Sequence, residues 1–456
     1  MSRSAAPGRL RALMITAALA AFWPLLGADA AMARLRPHYG GEVRVETAAA
    51  EAPDFVKLLV TETLTSVDMR GEVQPGLALR WEAQNGGRRW QFWLRPGLRL
   101  HGSQMDAPLT SVVVAEAIRT GLAGLAMEAR IHTAGDWVSV EFDAPMPQFA
   151  ALLAAAQFAV GAQDIRGVVV GSGPYAIESI AAPRITLVAN PDYRGGRRFP
   201  ETITVLCSRS AHEQALDLAD NRADLVEVAP EELRRAQQER IRLSLAQPSE
   251  LIVLAAGHAR SSDLRLRQAL SESIDRAALL NFIFQKQGET SAGLLPDWIT
   301  GYGALLSAPQ NPAHARQLRA EVGGRPGFSI GYEPDDAQMQ LLAERIALNA
   351  RETGLTVQAV ARTANVDWVL RRILVQTANP AAALTAVLGA LHEPLELGDA
   401  TLESVFRAER GALANYTAIP LLHLDRAWAA SERLHDWSNA SPFSPLTAES
   451  WVEARP

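Results

Sequence analysis

Two lysines, Lys57 and Lys286, are all that this 456-residue chain carries among its 44 basic residues; every other permanent cation is arginine. That bias reads as genome composition rather than mechanism. Cysteine is scarcer still. With only Cys207, no internal disulfide can form. It sits in the strand-like run Ile203-Thr204-Val205-Leu206-Cys207, where a buried, inert thiol is expected. The nine histidines are scattered, with no i, i+4 pair, and neither His212-Glu213 nor His392-Glu393 has the second histidine that a zinc helix needs. No metal and no cofactor is therefore expected. There is no Gly-x-Ser-x-Gly elbow, no phosphate-cradling loop and no dinucleotide fingerprint. Acidic pairs such as Glu231-Glu232 lie in a polar stretch that reads as solvated helix. An enzyme is not expected, and a secreted hydrolase would rest on the N-terminus alone. A formal net charge of −6 argues against nonspecific nucleic-acid binding, which needs a basic face.

What is present is an ordinary globular composition, with 48% apolar and 21% charged residues, on a chain long enough for two or three domains. The N-terminus is of another kind. Arg3, Arg9 and Arg11 precede an apolar run over residues 12–27, followed by Ala28-Asp29-Ala30 and Ala31-Met32-Ala33, two small-x-small steps. This pattern predicts a Sec-type signal peptide over residues 1–33, cleaved near Ala30 or Ala33, and a periplasmic mature protein. An uncleaved anchor is the alternative. No cysteine stands near the cleavage site to carry a lipid.

Alternation predicts a strand over residues 41–47, and helical spacing a helix over 55–64. Asn85-Gly86-Gly87 predicts a hairpin turn between 76–82 and 89–94. Helices are expected over 111–121, 147–156 and 337–351, and a strand over 137–142. Residues 264–280 keep helical spacing of apolar residues, with Asp275-Arg276 on the opposite, polar side.

The most specific text runs from Gly171 to Gly196: GSGPYAIESIAAPRITLVANPDYRGG. Local rules read it as a Gly-Pro turn, strands over 175–180 and 184–189, and an Asn-Pro-Asp-Tyr turn. Its wording resembles the G-[ST]-GPY … NPDYW-GG signature of the family 5 extracellular solute-binding proteins, with Arg194 where that family carries tryptophan. PGLALRWEAQNGGRRWQFWLRPGLRLHG and LRLRQALSESIDRAALLNFIFQKQGETSAGLLP resemble two further family stretches, in family order. The resemblance implies an α/β, two-lobed periplasmic binding protein type II fold with a small extra subdomain inserted in lobe I. Lobe I would cover residues 34–255, its insert about 56–167, lobe II 256–415, and 416–456 would return to lobe I.

The implied function is the periplasmic substrate-binding component of an ABC importer. It would act as a monomer, take a peptide-type or related small polar solute between its lobes and deliver it to permease and ATPase subunits. In peptide-binding relatives an acidic residue neutralises the peptide ammonium, in a motif like W-x-x-D-Y-x-[DE]-P. Here the matching text is ILVQTANP, with Gln376 in the place of that acid. Gln376 and Asn379 are thus candidate ligand residues or simply loop residues. Asp367, Glu393 or Glu396 would have to substitute as the acid, or the ligand lacks a free ammonium. Glu46 and Thr47, at the end of the first strand, are further candidates. Trp298 and Trp368 are either cleft lids or core residues. The missing acid also leaves open a degenerate family member that serves as an envelope interaction module.

Overall fold

The computed structural model describes residues 36–49, 54–102, 105–324, 327–395, 397–437 and 446–454; the expected signal peptide and Glu396 lie outside them. Two large sheets organise the chain. The first has seven strands in the order Tyr175–Ala181, Arg184–Ala189, Thr202–Leu206, Glu42–Glu46, Leu225–Glu227, Ala427–Ala430, Arg242–Leu245. Glu42–Glu46 lies centrally, parallel to both neighbours, and buries Val43 and Val45 against Leu187, Ile203 and Val205.

The second sheet has six strands in the order Glu289–Thr290, Ala418–Leu424, Glu250–Ala256, Trp368–Leu374, Gly327–Gly331, Thr356–Val360. Glu250–Ala256 is apolar almost throughout because both of its faces are covered. Ile252 and Leu254 face a core with Leu270, Ile346 and Trp368. Leu251 and Val253 face another with Leu384, Leu388 and Val405.

Between Glu46 and Tyr175 the chain builds the inserted subdomain. Ala78–Gln84, Arg89–Leu94, Trp137–Glu141 and Arg130–Ala134 form its four-stranded sheet. Asn85, Gly86 and Gly87 turn its hairpin with positive φ, as the Asn-Gly-Gly text predicts. Its core holds Phe92, Phe142 and Phe149, with Phe142 edge-on to Phe149 at 4.8 Å between centroids. Two expected helices are shorter than their spacing suggests, Asp54–Val60 and Phe149–Leu152. The first stops because Glu62 is drawn into a β-bridge with Val160.

The two large sheets exchange the chain twice, between Leu245 and Glu250 and between Leu424 and Ala427. Both points differ from the expected 255/256 and 415/416. Backbone pairing decides membership: Glu250–Ala256 and Ala418–Leu424 are antiparallel neighbours within the second sheet. Residues 264–280 also differ from expectation. They form two helices, Leu264–Ser273 and Arg276–Phe282, broken where Asp275 caps the second through Ala278 N at 2.9 Å. Arg276 does not face solvent. It is 7% exposed and donates to the carbonyls of Pro420 and Ala308, and burial lowers its pKa to about 10.

The Gly171–Gly196 text becomes a hairpin docked on the end of helix Asp54–Val60. A Cβ at Gly171 or Gly173 would run into the Val60 backbone, and Gly173 N donates to Val60 O at 2.8 Å. Asn190 closes the other end: its Nδ2 donates to Gly173 O (3.0 Å) and its Oδ1 accepts from Asp192 N (3.1 Å). Glu62 joins the two halves. It accepts from Ser172 Oγ at 2.9 Å and from Tyr193 Oη at 3.4 Å, and it pairs with Arg194 at 2.6 Å. Arg194 thus occupies the family's tryptophan position as an ion-pair partner. Cys207 is buried, and burial pushes its thiol pKa up.

Candidate functional site

Two adjoining cavities, about 790 Å³ and about 610 Å³, open between the two large sheets. They share Ala49, Glu250, Arg372 and Arg426. Ala48, Gln214, Glu227 and Pro230 reach the larger one from the first sheet's side. Glu333, Asp336 and Gln338 reach it from the second. Lys57, Gln157, Arg371, Gln376 and Thr377 line the smaller one. A volume of several hundred Å³ is the size that a small solute requires.

The segments that cross between sheets carry charges tied to opposite sides. Glu250 pairs with Arg372 at 2.9 Å, and Arg372 also holds Asp336 at 2.9 Å and Gln338 at 2.8 Å. Arg426 pairs with Glu227 at 3.3 Å, and Glu227 accepts from Thr47 Oγ1 at 3.0 Å. Asp425, beside Arg426, has its pKa pushed up to about 6 by burial and by Glu289. The second crossing is therefore anchored by the Arg426–Glu227 ion pair, while the Glu250–Arg372 pair braces neighbouring strands of the second sheet where the first crossing ends.

The expected site residues fall in different places. Glu46 is 1% exposed, behind the cavity, where Arg209 lies 3.5 Å away and also pairs with Glu213 and Asp217. Burial, and then Asp217, raise the Glu46 pKa to about 7, while Asp217 itself is lowered. Thr47 is buried and orients Glu227 rather than lining either cavity. Trp298 donates to Pro248 O at 2.7 Å, bracing the first crossing segment. Trp368 is fully buried, edge-on to Phe328 at 6.2 Å, with no surface toward the cavities.

Gln376 does line the smaller cavity, but its Oε1 accepts from Ala156 N at 3.0 Å, bridging the second lobe to the insert. Asn379 caps helix Pro380–Leu391 through Ala382 N (3.0 Å) and donates to Gly71 O (3.0 Å). The same helix meets the insert through Gln148 Nε2 and Thr385 Oγ1 at 2.8 Å, and through Ala382 in the insert's core.

Neither described acid nominated to replace the lost one stands on these two cavities. Asp367 accepts from Ser329 N (2.7 Å) and Oγ (2.8 Å). Glu393 is buried against Arg260 at 2.8 Å. Sequence reasoning missed Lys57, Arg371, Arg372, Arg426 and Glu250. The Arg-Arg pair inside an apolar strand was the one visible signal. Among the described residues, no group of three or more His, Cys, Asp or Glu side chains is placed to hold a metal.

Comparison with known proteins finds the same fold. The structure is similar to a Helicobacter pylori ABC transporter-associated periplasmic binding protein, DppA, in complex with the peptide STSA. That match has a TM-score of 0.77 at 14% identity, over 92% of this chain and 99% of the other. It is also similar to AgaA of Agrobacterium tumefaciens in complex with agropinic acid, with a TM-score of 0.75 at 15% identity, over 91% and 99%. Among curated proteins, a dipeptide-binding protein of Escherichia coli is 21% identical over 341 residues. That match spans 63% of this chain and 63% of the relative's length. Both solved neighbours have the two-lobed α/β type II periplasmic binding fold, and so does this chain. The model for bacterial extracellular solute-binding proteins, family 5 (middle region), matches residues 72–395, and the chain belongs to that family.

Proposed function

We propose that this chain is the substrate-binding component of an ABC importer, exported to the periplasm and catalysing nothing. It takes a small polar solute, of peptide type or a related class, into the cleft between its lobes and delivers it to a membrane permease. One observation carries the reading: the cavities lie between the two large sheets, beside both crossing segments, and draw their walls from both sides.

In this reading each lobe is a large sheet with its helices, and the crossings at residues 246–249 and 425–426 are the hinge. Arg426 on Glu227 holds the hinge to lobe I, and Glu250 on Arg372 stiffens the edge of lobe II where the first crossing enters it. Closure removes the solute from water, and contacts to both lobes shift the population toward the closed form. Micromolar affinity needs about −8 kcal/mol, within reach of a few buried hydrogen bonds and some apolar area.

The test is native mass spectrometry of the protein gently purified from a periplasmic extract. The reading predicts a non-covalent adduct of one small molecule that dissociates on collisional activation. Bare protein, together with no binding heat from dipeptides, oligopeptides or opines, would refute it.

A further inference from the structure

The smaller cavity lacks the acid that a peptide ammonium would need and is rich in the opposite charge. Its wall carries Lys57, Arg371, Arg372 and Arg426 against a single carboxylate, Glu250. Glu250 is already engaged by Arg372, which Asp336 also neutralises. Arg426 is met by Glu227.

Two cations remain. Among the described residues neither Lys57 nor Arg371 is paired with a carboxylate; Arg371 spends one N–H on the Ala390 carbonyl, at 2.5 Å. One of only two lysines in the chain therefore stands on this wall. Gln157 lines the same cavity, and its buried Nε2 has no acceptor among the described residues. Gln376 offers no charge to an incoming ammonium, and its carbonyl oxygen is already used by Ala156 N.

A half-enclosed space whose wall carries two cations that no described carboxylate pairs favours an anion. An ammonium brought into it would be desolvated without a counter-charge, at a cost of several kcal/mol. A carboxylate or phosphate would instead gain charge-assisted hydrogen bonds from a guanidinium and an ammonium.

We propose that the transported solute carries an anionic group, carboxylate or phosphate, seated between Lys57 and Arg371. This rests on the solute-binding reading above and narrows it: the recognised end of the ligand is its anion, and a free ammonium is not required.

The experiment uses isothermal titration at low ionic strength with glutarate and glycerol 3-phosphate as probes, on the wild type and on Lys57→Met, Lys57→Arg and Arg371→Met. At least one anion is expected to bind. Its affinity should fall at least tenfold in Lys57→Met and in Arg371→Met, fall with added salt, and survive in Lys57→Arg. Which probe binds tells carboxylate from phosphate. Lys57 is exposed, so its variant reports on binding without disturbing the fold. Absence of binding by both anions, or equal affinity in Lys57→Met, overturns the inference. A neutral or cationic solute found in the native mass spectrum overturns it too, while leaving the solute-binding reading intact.

Discussion

Replacing Glu46 by glutamine removes a buried proton-binding site at the end of the central strand of the first sheet. In the folded protein the Glu46 pKa lies at about 7 against an ordinary value near 4.5, chiefly because burial penalises the carboxylate. A raised acid pKa means the folded state holds its proton more tightly than the unfolded chain. Its contribution is therefore fully present at low pH and is lost as pH climbs from about 4.5 to about 7. At ~1.4 kcal/mol per pKa unit, the wild type should lose about 2.5 kcal/mol at this site between pH 5 and pH 8. The side chain is only 2% exposed, so solvent screening takes little from that figure.

Other groups titrate as well. Burial lowers the His423 pKa to about 4, which makes stability rise with pH between that value and its ordinary 6.5. Asp425, raised to about 6, acts in the same direction as Glu46. Both are common to wild type and variant, so the difference between the two proteins isolates Glu46. Glutamine keeps the shape and a hydrogen-bonding amide without the titration, and Arg209 retains Glu213 and Asp217. Scanning calorimetry should show Glu46→Gln gaining on the wild type by about 3 °C in Tm from pH 5 to pH 8, the shift that about 2.5 kcal/mol produces in a chain of this length. A Tm difference that stays flat within about 1 °C over that range would refute the buried-proton account.

Three further outcomes are expected. Gly173→Ala forces a methyl group into the Val60 backbone and should destabilise by about 3 kcal/mol or more, read as the midpoint of urea unfolding. Glu62→Gln breaks the Arg194 ion pair and weakens the acceptor for Ser172 and Tyr193, costing about 1–3 kcal/mol by the same assay. Gln376→Asp installs an acid at the expected ammonium position, and binding of the dipeptide Ala-Ala should tighten by about 10- to 100-fold in calorimetric titration; an unchanged affinity would show that this position does not meet the ligand.

Much of the fold could be read from local text. The Asn-Gly-Gly hairpin, the first strand and the helix Ala337–Glu352 follow from turn chemistry and periodicity. The hairpin at Tyr175–Ala189 was legible because its glycines and Asn190 answer to local backbone demands. What escaped depends on distant partners. Apolar spacing runs unbroken through Ile274-Asp275, so only the Asp275 cap reveals two helices. Arg276 looks like a surface charge until carbonyls from two other segments are found around it. Asn379 resembles a binding-loop residue yet caps a helix. Glu62 belongs to no motif and acts by joining the two ends of one. The cleft cations Lys57, Arg371 and Arg426 come from separate stretches of chain, and only the meeting of the two sheets assembles them.

Small-angle X-ray scattering tests the hinged cleft most directly. Protein as purified would be compared with protein stripped of its solute by unfolding and refolding. If the lobes close over a solute, stripping increases the radius of gyration and re-adding the released small-molecule fraction reverses it. An identical radius in all three samples would contradict two lobes that move about the crossings at residues 246–249 and 425–426.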